Sequence, residues 1–243
     1  MEAAGVPVRP VLDDVGRTNP FFHVGVWADG PDGAGLRPVD ECTATEADRQ
    51  VAHVRGRLAR GSDGPAAVEW RVAASLFHQG LATRLLSPVL AAGLCHGVLL
   101  DARAFGWRPG APIEPATRQR TAEPVRGGAA GLADWVEETV VTGVAARVAE
   151  ALTAAGRVAP GLLRGNTAAA LAGAVRALGA DRPGVRAAAE AVARDLLARP
   201  ALAGTGAYRG VDAEGLAVFR RTTCCLYYRV PGGGLCGDCA LRD

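Results

Sequence analysis

The sequence predicts a mainly α protein: a helical body closed by a small, irregular, cysteine-rich module at the C-terminus, with room for a few short strands. Three observations lead there. Alanine and leucine are abundant while aromatics make up only 5% of residues, a composition that favours helices packed through small side chains. Apolar residues recur at helical spacing in several runs between Val51 and Leu196. Four of the 6 cysteines crowd between Cys224 and Cys239, among glycines and few large apolar residues. The expected organisation is a body over residues 1–215 and a module over residues 216–243.

Residues 1–42 are rich in Pro, Gly and Asp, with one short apolar stretch, Phe21 to Trp27, that reads equally as a strand or a packed arm. The first residues carry early acid and prolines around no apolar core, so no secretory signal is expected. Thr43 and Glu46 form a capping box, after which Val51, Val54 and Leu58 line one helix face. Gly61 to Gly64 break that helix, and Pro65 suits the first turn of the next. The next helix carries Val68, Val72, Leu76, Leu81 and Leu85 up to Pro88, which is expected to kink or end it. A second apolar helix follows to about Leu100.

Residues 101–131, dense in Pro, Gly and Arg, are predicted as a long surface connection. The β-branched run from Trp135 to Val141 is ambiguous between strand and helix start. Further helices are predicted over Val144–Ala155, Leu162–Ala180 and Pro183–Arg199, with Ala170 and Gly173 allowing close backbone approach. Residues 203–215 then loosen the chain before the cysteines. There is no internal repeat. The longest apolar run, Pro88 to Leu100, is shorter than the roughly 20 residues needed to span a bilayer.

The chemistry sits in the tail. Cys224 and Cys225 are adjacent, ten residues follow, then come Cys236 and Cys239. Crowded thiolates repel, and a metal centre is one reason for them to meet, because it deprotonates and neutralises its sulfur ligands. Three chemistries fit. Structural zinc takes four Cys, although its usual signature is a pair of C-x-x-C knuckles. Disulfides need an oxidising compartment, and adjacent cysteines close only a strained ring. An iron–sulfur cluster takes four thiolates in spacings that vary between families.

The string from Arg220 to Cys239, R-R-x-x-C-C-L-Y-Y-R-x-P-G-G-x-L-C-G-D-C, resembles the C-terminal signature of the FhuF-like ferric siderophore reductases. In that family the CC-x10-C-x2-C cysteines hold a 2Fe-2S cluster. The runs Ala74 to Leu100 and Leu162 to Leu178 also read like that family's helical body. The resemblance implies that Cys224, Cys225, Cys236 and Cys239 ligate a 2Fe-2S cluster. It also implies reduction of siderophore-bound Fe(III), with hydroxamate-type siderophores as one ligand class, and an external electron donor such as a ferredoxin or flavoprotein.

Such a cluster is doubly negative when oxidised and triply negative when reduced, so it needs N–H donors and cations around it. Gly232, Gly233, Gly234 and Gly237 expose backbone amides. Arg220, Arg221, Arg229 and Arg242 could offset the charge and dock an acidic donor; the competing reading makes them solvated residues of a chain whose 27 basic residues are all Arg. Arg164 and Asn166 interrupt the small-residue helix and form a candidate substrate surface. The alternative leaves Arg164 in solvent and Asn166 bonded to a neighbouring helix. Tyr227 and Tyr228 read as packing rather than redox relays.

The remaining candidates read as structural. Cys42 and Cys95 have no partner at ligand spacing, and Cys95 reads as a small buried hydrophobe. His23, His53, His78 and His96 are scattered; His78 and His96, on consecutive predicted helices, could share a pocket. Gly232-x-Gly234-x-x-Gly237 matches a dinucleotide fingerprint in form only, since it opens no helix after a strand and overlaps Cys236. No Walker loop, nucleophile elbow or H-E-x-x-H is present. A net charge of +2 gives no drive toward nucleic acid.

The expectation is therefore a cytoplasmic 2Fe-2S reductase. Two other readings stand beside it: a structural zinc module on a helical binding domain, and a 2Fe-2S electron carrier or redox sensor.

Overall fold

The computed structural model describes residues 5–28, 33, 35–60, 64 and 67–242. Pro65 and most of the break from Gly61 lie outside the described residues. The helices are α1 (Val8–Val15), α2 (Ala44–Leu58), α3 (Trp70–His96), α4 (Gly128–Val136), α5 (Ala145–Ala155), α6 (Pro160–Asp181) and α7 (Arg186–Ala198). Helices α3 and α6 pack along each other at the centre, α2 and α5 pack together with α5 against both, and α4 packs on α7.

Helix α2 starts as the sequence reads: the Thr43 hydroxyl accepts the Glu46 amide at 3.2 Å while the Glu46 carboxylate accepts the Thr43 amide at 3.0 Å. Helix α3 corrects an expectation. It runs unbroken through Pro88 and is buried on all sides from Leu85 to Gly93. Proline in a helix interior costs about 3 kcal/mol. Leu85, Leu86, Val89 and Leu90 together bury enough apolar surface to exceed that, at roughly 1.5–3 kcal/mol each. The helix ends at Gly97, whose φ of 65° is the left-handed cap that glycine takes without strain.

The ambiguous run after Trp135 is a π-helical segment, Glu137–Val144, in which the Thr142 hydroxyl reaches back to the Glu137 carbonyl at 2.9 Å. β-branched Thr139, Val140, Val141 and Thr142 disfavour a regular α-turn, and Gly143 leaves helical geometry altogether.

The predicted surface connection is also corrected. Residues 101–131 supply β5 (Phe105–Trp107), β6 (Ala116–Thr117) and β7 (Thr121–Pro124). They complete a sheet in the order β2 (Gly25–Val26), β6, β5, β3 (Arg37–Pro38), and another in the order β1 (Val6–Pro7), β7, β4 (Val98–Leu99). Phe105 and Trp107 are fully buried, and Trp107 stacks on Phe77 of α3 at 5.5 Å. Polar turns in that segment hid these few aromatic anchors. The apolar stretch at Phe21 to Trp27 is both alternatives at once: a two-residue strand flanked by buried Phe22, Val24 and Trp27.

The segment expected to loosen the chain instead forms a hairpin, β8 (Gly206–Val211) with β9 (Ala217–Arg221). Residue 215, the expected edge of the body, falls in its turn, where Asp212 accepts the Leu216 amide at 2.9 Å. Strand β9 lies against α6 and leads directly into the cysteines. No helix among the described residues is long and apolar enough to cross a membrane.

Candidate metal centre

The module is irregular because its own side chains leave little to bury: from residue 222 to 242 only Cys225, Val230 and Cys239 are buried. Its order comes from backbone turns and from contacts with the body. Leu226, directly after the cysteine pair, has φ 68°, the one positive φ outside glycine among the described residues. That strained conformation costs of order 1–3 kcal/mol and aims the Leu226 amide at Cys224 Sγ, 3.3 Å away. The Leu241 amide donates likewise to Cys239 Sγ at 3.3 Å. Cys225 and Cys236 bring their sulfurs to 3.5 Å, so the two halves of the motif meet. Among the described residues no group of three or more His, Cys, Asp or Glu side chains is arranged to hold a single ion.

The body grips this loop through one buried polar chain. The Ser75 hydroxyl of α3 donates to the Cys225 carbonyl at 2.8 Å, and Asn166 of α6 donates to the Ser75 carbonyl at 2.8 Å. Arg221, with its side chain fully enclosed, donates to the Asn166 side-chain oxygen and to Gln79 Oε1 at 3.1 Å. A Cβ on Gly165 would sit 2.0 Å from Thr223 Oγ1, so α6 needs glycine where the module crosses it. Arg220 donates to the Cys239 carbonyl at 2.8 Å, and Arg229 ion-pairs with Glu69 at the start of α3.

The electrostatics suit an anionic group. A guanidinium keeps its charge when buried. The nearest carboxylate to Arg221, Asp238, stands 4.0 Å away, and Arg221 Nε meets no acceptor. Burial first, then the Asp238 carboxylate, pushes the Cys236 thiol up. A metal must therefore displace that proton when it binds. Burial likewise raises Cys42 to about 12 and raises Cys95, but what separates these two from the site is position: Cys42 stands just before the N-cap of α2 and Cys95 in the last turn of α3. The thiols, the amides on sulfur and the under-compensated cation fit a thiolate-held cluster.

The structure sorts the other predicted residues. Asn166 is fully buried in the network, whereas Arg164 is exposed, so they are not a buried polar pair. Tyr227 and Tyr228 are 39% and 44% exposed rather than packed in the core; Tyr228 accepts from Arg229 Nε at 3.1 Å. His78 and His96 do not meet: both lie on the single helix α3, 18 residues and so about 27 Å apart along its axis. His78 bonds the Ala145 carbonyl and His96 the Asp14 carboxylate. Ser75, Gln79 and Asp238 were missed. The first two were visible only as polar interruptions of an apolar run, and Asp238 as an acid between two cysteines.

Fold and site define a helical protein whose C-terminal module is built to hold a metal cluster on cysteine sulfur. Residues 221–241 match the FhuF 2Fe-2S C-terminal domain, so the chain carries an FhuF-type module and its group is a 2Fe-2S cluster. No curated protein matches the chain. The family match does not extend to the helical runs Ala74–Leu100 and Leu162–Leu178.

Proposed function

We propose that the protein is a cytoplasmic ferric siderophore reductase, taking one electron from a separate donor and passing it to Fe(III) in a hydroxamate-type siderophore. The observation that carries this reading is the match of residues 221–241 to the FhuF 2Fe-2S C-terminal domain, a stretch that contains Cys224, Cys225, Cys236 and Cys239. These four are the proposed ligands. When bound, the cluster supplies a one-electron couple.

The chain does the rest. The Leu226 and Leu241 amides point at sulfur, and Arg221, fixed by Asn166 and Gln79, sets a positive charge behind the loop. In the step itself the donor is oxidised by one electron and Fe(III) becomes Fe(II); no bond to the protein forms. Hard hydroxamate oxygens hold Fe(III) more tightly than the less charge-dense Fe(II), so reduction loosens the chelate. No proton moves at a protein atom, which is why a site without an acid–base pair suffices. An acidic ferredoxin or flavoprotein would meet exposed Arg164 and half-exposed Arg220, since Arg229 is already paired with Glu69 and Arg221, fully buried, is out of a partner's reach.

Stopped-flow mixing of the anaerobically reduced protein with ferric hydroxamates tests the reading. The expected result is recovery of the oxidised spectrum with one Fe(II) released per electron. A colourless protein holding zinc would overturn it, as would a reduced protein that ferric chelates leave reduced.

A further inference from the structure

The four sulfurs of the module do not stand alike. Cys225 Sγ and Cys236 Sγ lie 3.5 Å apart, although ten residues separate them in the chain. That spacing suits two ligands of one metal: thiolates bound to a single tetrahedral centre at about 2.3 Å stand about 3.8 Å from each other. Sulfurs on different irons of a cluster are held further apart, because the metal–metal edge lies between them. The adjacent cysteines are set differently. Cys225 is buried, with its carbonyl held by the Ser75 hydroxyl at 2.8 Å, whereas Cys224 is only half-buried. A second asymmetry lies in the hydrogen bonds. Among the described residues, the amides that donate to these sulfurs go to Cys224 and Cys239. They come from Leu226 and Leu241, both at 3.3 Å and each two residues beyond its cysteine. The Arg220 guanidinium also sits at Cys239, donating to its carbonyl at 2.8 Å. The Asp238 carboxylate, in contrast, stands beside Cys236.

We infer that Cys225 and Cys236 share one iron of the 2Fe-2S cluster, that Cys224 and Cys239 share the other, and that this second iron takes the electron. The inference rests on the proposed four-cysteine ligand set. The first pair is the one whose sulfurs meet, and the second pair follows by elimination. The choice of iron follows from charge. An N–H aimed at a thiolate stabilises negative charge on it, and hydrogen bonds to sulfur are among the levers that set a cluster's potential. Reduction adds one electron from the donor; no bond forms or breaks, and no proton moves. The added charge settles where it is best compensated. One iron's sulfurs have two amides, with Arg220 alongside; the other's have a neighbouring carboxylate instead. The left-handed backbone at Leu226, φ 68°, then has a use that offsets its strain: it aims an amide at a ligand of the reducible iron.

Proton NMR of the dithionite-reduced wild-type holoprotein tests both parts without any variant. In a reduced cluster with one ferric and one ferrous iron, the shifts of cysteine β-protons on the ferric iron shrink on warming, while those on the ferrous iron grow. Nuclear Overhauser contacts with neighbouring residues assign each cysteine. Cys225 and Cys236 should show the ferric behaviour, Cys224 and Cys239 the ferrous. Cys224 and Cys225 in one class would overturn the pairing, as would Cys225 and Cys236 in different classes. The expected pairs with the two behaviours exchanged, or one behaviour for all four, would overturn the choice of iron. Serine variants prepared anaerobically give a second reading, since an oxygen ligand disfavours the ferrous state most at the iron it binds. Cys224→Ser and Cys239→Ser should disfavour reduction at least tenfold more than Cys225→Ser and Cys236→Ser, a difference of about 60 mV in midpoint potential. Equal shifts in all the variants that retain iron would count against the choice of iron. Neither measurement involves a ferric chelate. A wrong pairing therefore leaves the reductase reading standing, and a protein that reduces no chelate leaves the pairing standing.

Discussion

Arg221 on β9 donates from its guanidinium to the side-chain oxygen of Asn166 on α6, and both side chains are sealed from solvent. One bond thus ties the cysteine module to the central helix pair, because Asn166 also holds Ser75, whose hydroxyl holds the Cys225 carbonyl. A buried cation whose nearest carboxylate is 4.0 Å off is under-compensated by the protein alone.

That imbalance has an electrochemical consequence. A cluster held by the proposed cysteines would gain negative charge on reduction within the module that Arg221 anchors, so removing the cation would destabilise the reduced form more than the oxidised one. Arg221→Gln should lower the midpoint potential, by roughly 60 mV for each tenfold change in the one-electron equilibrium. Arg221→Lys should recover part of the shift. Asn166→Ala should leave the guanidinium short of an acceptor and cost about 1–3 kcal/mol of module docking, read as cluster loss at lower temperature. Spectroelectrochemical titration checks the first point; an unchanged potential in Arg221→Gln would remove Arg221 from the cluster's surroundings.

The cysteine assignment separates cleanly by variant. Cys224→Ser, Cys225→Ser, Cys236→Ser and Cys239→Ser should each bleach or destabilise the centre. Cys42→Ser and Cys95→Ser should leave it intact, since Cys42 lies before α2 and Cys95 in the last turn of α3, outside the module. Iron and sulfide analysis with visible spectra decides. Full iron and an unchanged spectrum in Cys236→Ser would defeat the four-ligand set.

His78 sets a pH dependence of stability. Its Nε2 faces the Ala145 carbonyl at 3.2 Å, its Nδ1 has no partner, and burial lowers its pKa from 6.5 to about 4. The unfolded chain takes up this proton below about 6.5, whereas the native state refuses it until about 4. Stability is therefore unaffected above pH 6.5 and falls as pH drops toward 4. Between pH 7 and pH 5 the loss from this group is about 2 kcal/mol. Urea unfolding at those two values should show a larger loss in wild type than in His78→Gln. Equal losses would mean that His78 charges freely in the native state.

Legibility followed the length of the pattern. Helices α2, α5, α6 and α7 were readable to within a few residues because their apolar periodicity is sustained and Thr43 with Glu46 marks a start. Pro88 misled because a local breaker was weighed without the burial that outweighs it on α3. The strands over residues 105–124 are two to four residues long, too short to show a period. The cysteines announced themselves by spacing, but their supports did not. Ser75 and Gln79 matter only because α3 and β9 meet, and that meeting is set by tertiary packing rather than by any local run.

The last expectation concerns what the cluster does for folding. Two kinds of structure adjoin in the C-terminal segment. The hairpin β8–β9 has its own ladder, with Tyr208 against Phe219 at 5.7 Å, and Arg221 anchors its end to α6. Beyond it, turns such as Gly233 to Val230 and Cys239 to Cys236 are held by single backbone bonds over a segment with three buried side chains. So little apolar burial does not offset the entropy of ordering some twenty residues at about 1–2 kcal/mol each for backbone alone. Cluster binding should supply the difference, as metals do in other small modules. Removal of iron should therefore leave hairpin amides from Gly206 to Arg221 protected while amides from Cys225 to Leu241 exchange at least a hundredfold faster. Hydrogen exchange with peptide-level mass spectrometry, on holoprotein and on protein stripped by an anaerobic chelator, reads both regions in one experiment. Protection at Cys225 and Cys236 that survives iron removal would show that the loop folds without its cluster, held by the Ser75–Asn166–Arg221 chain alone.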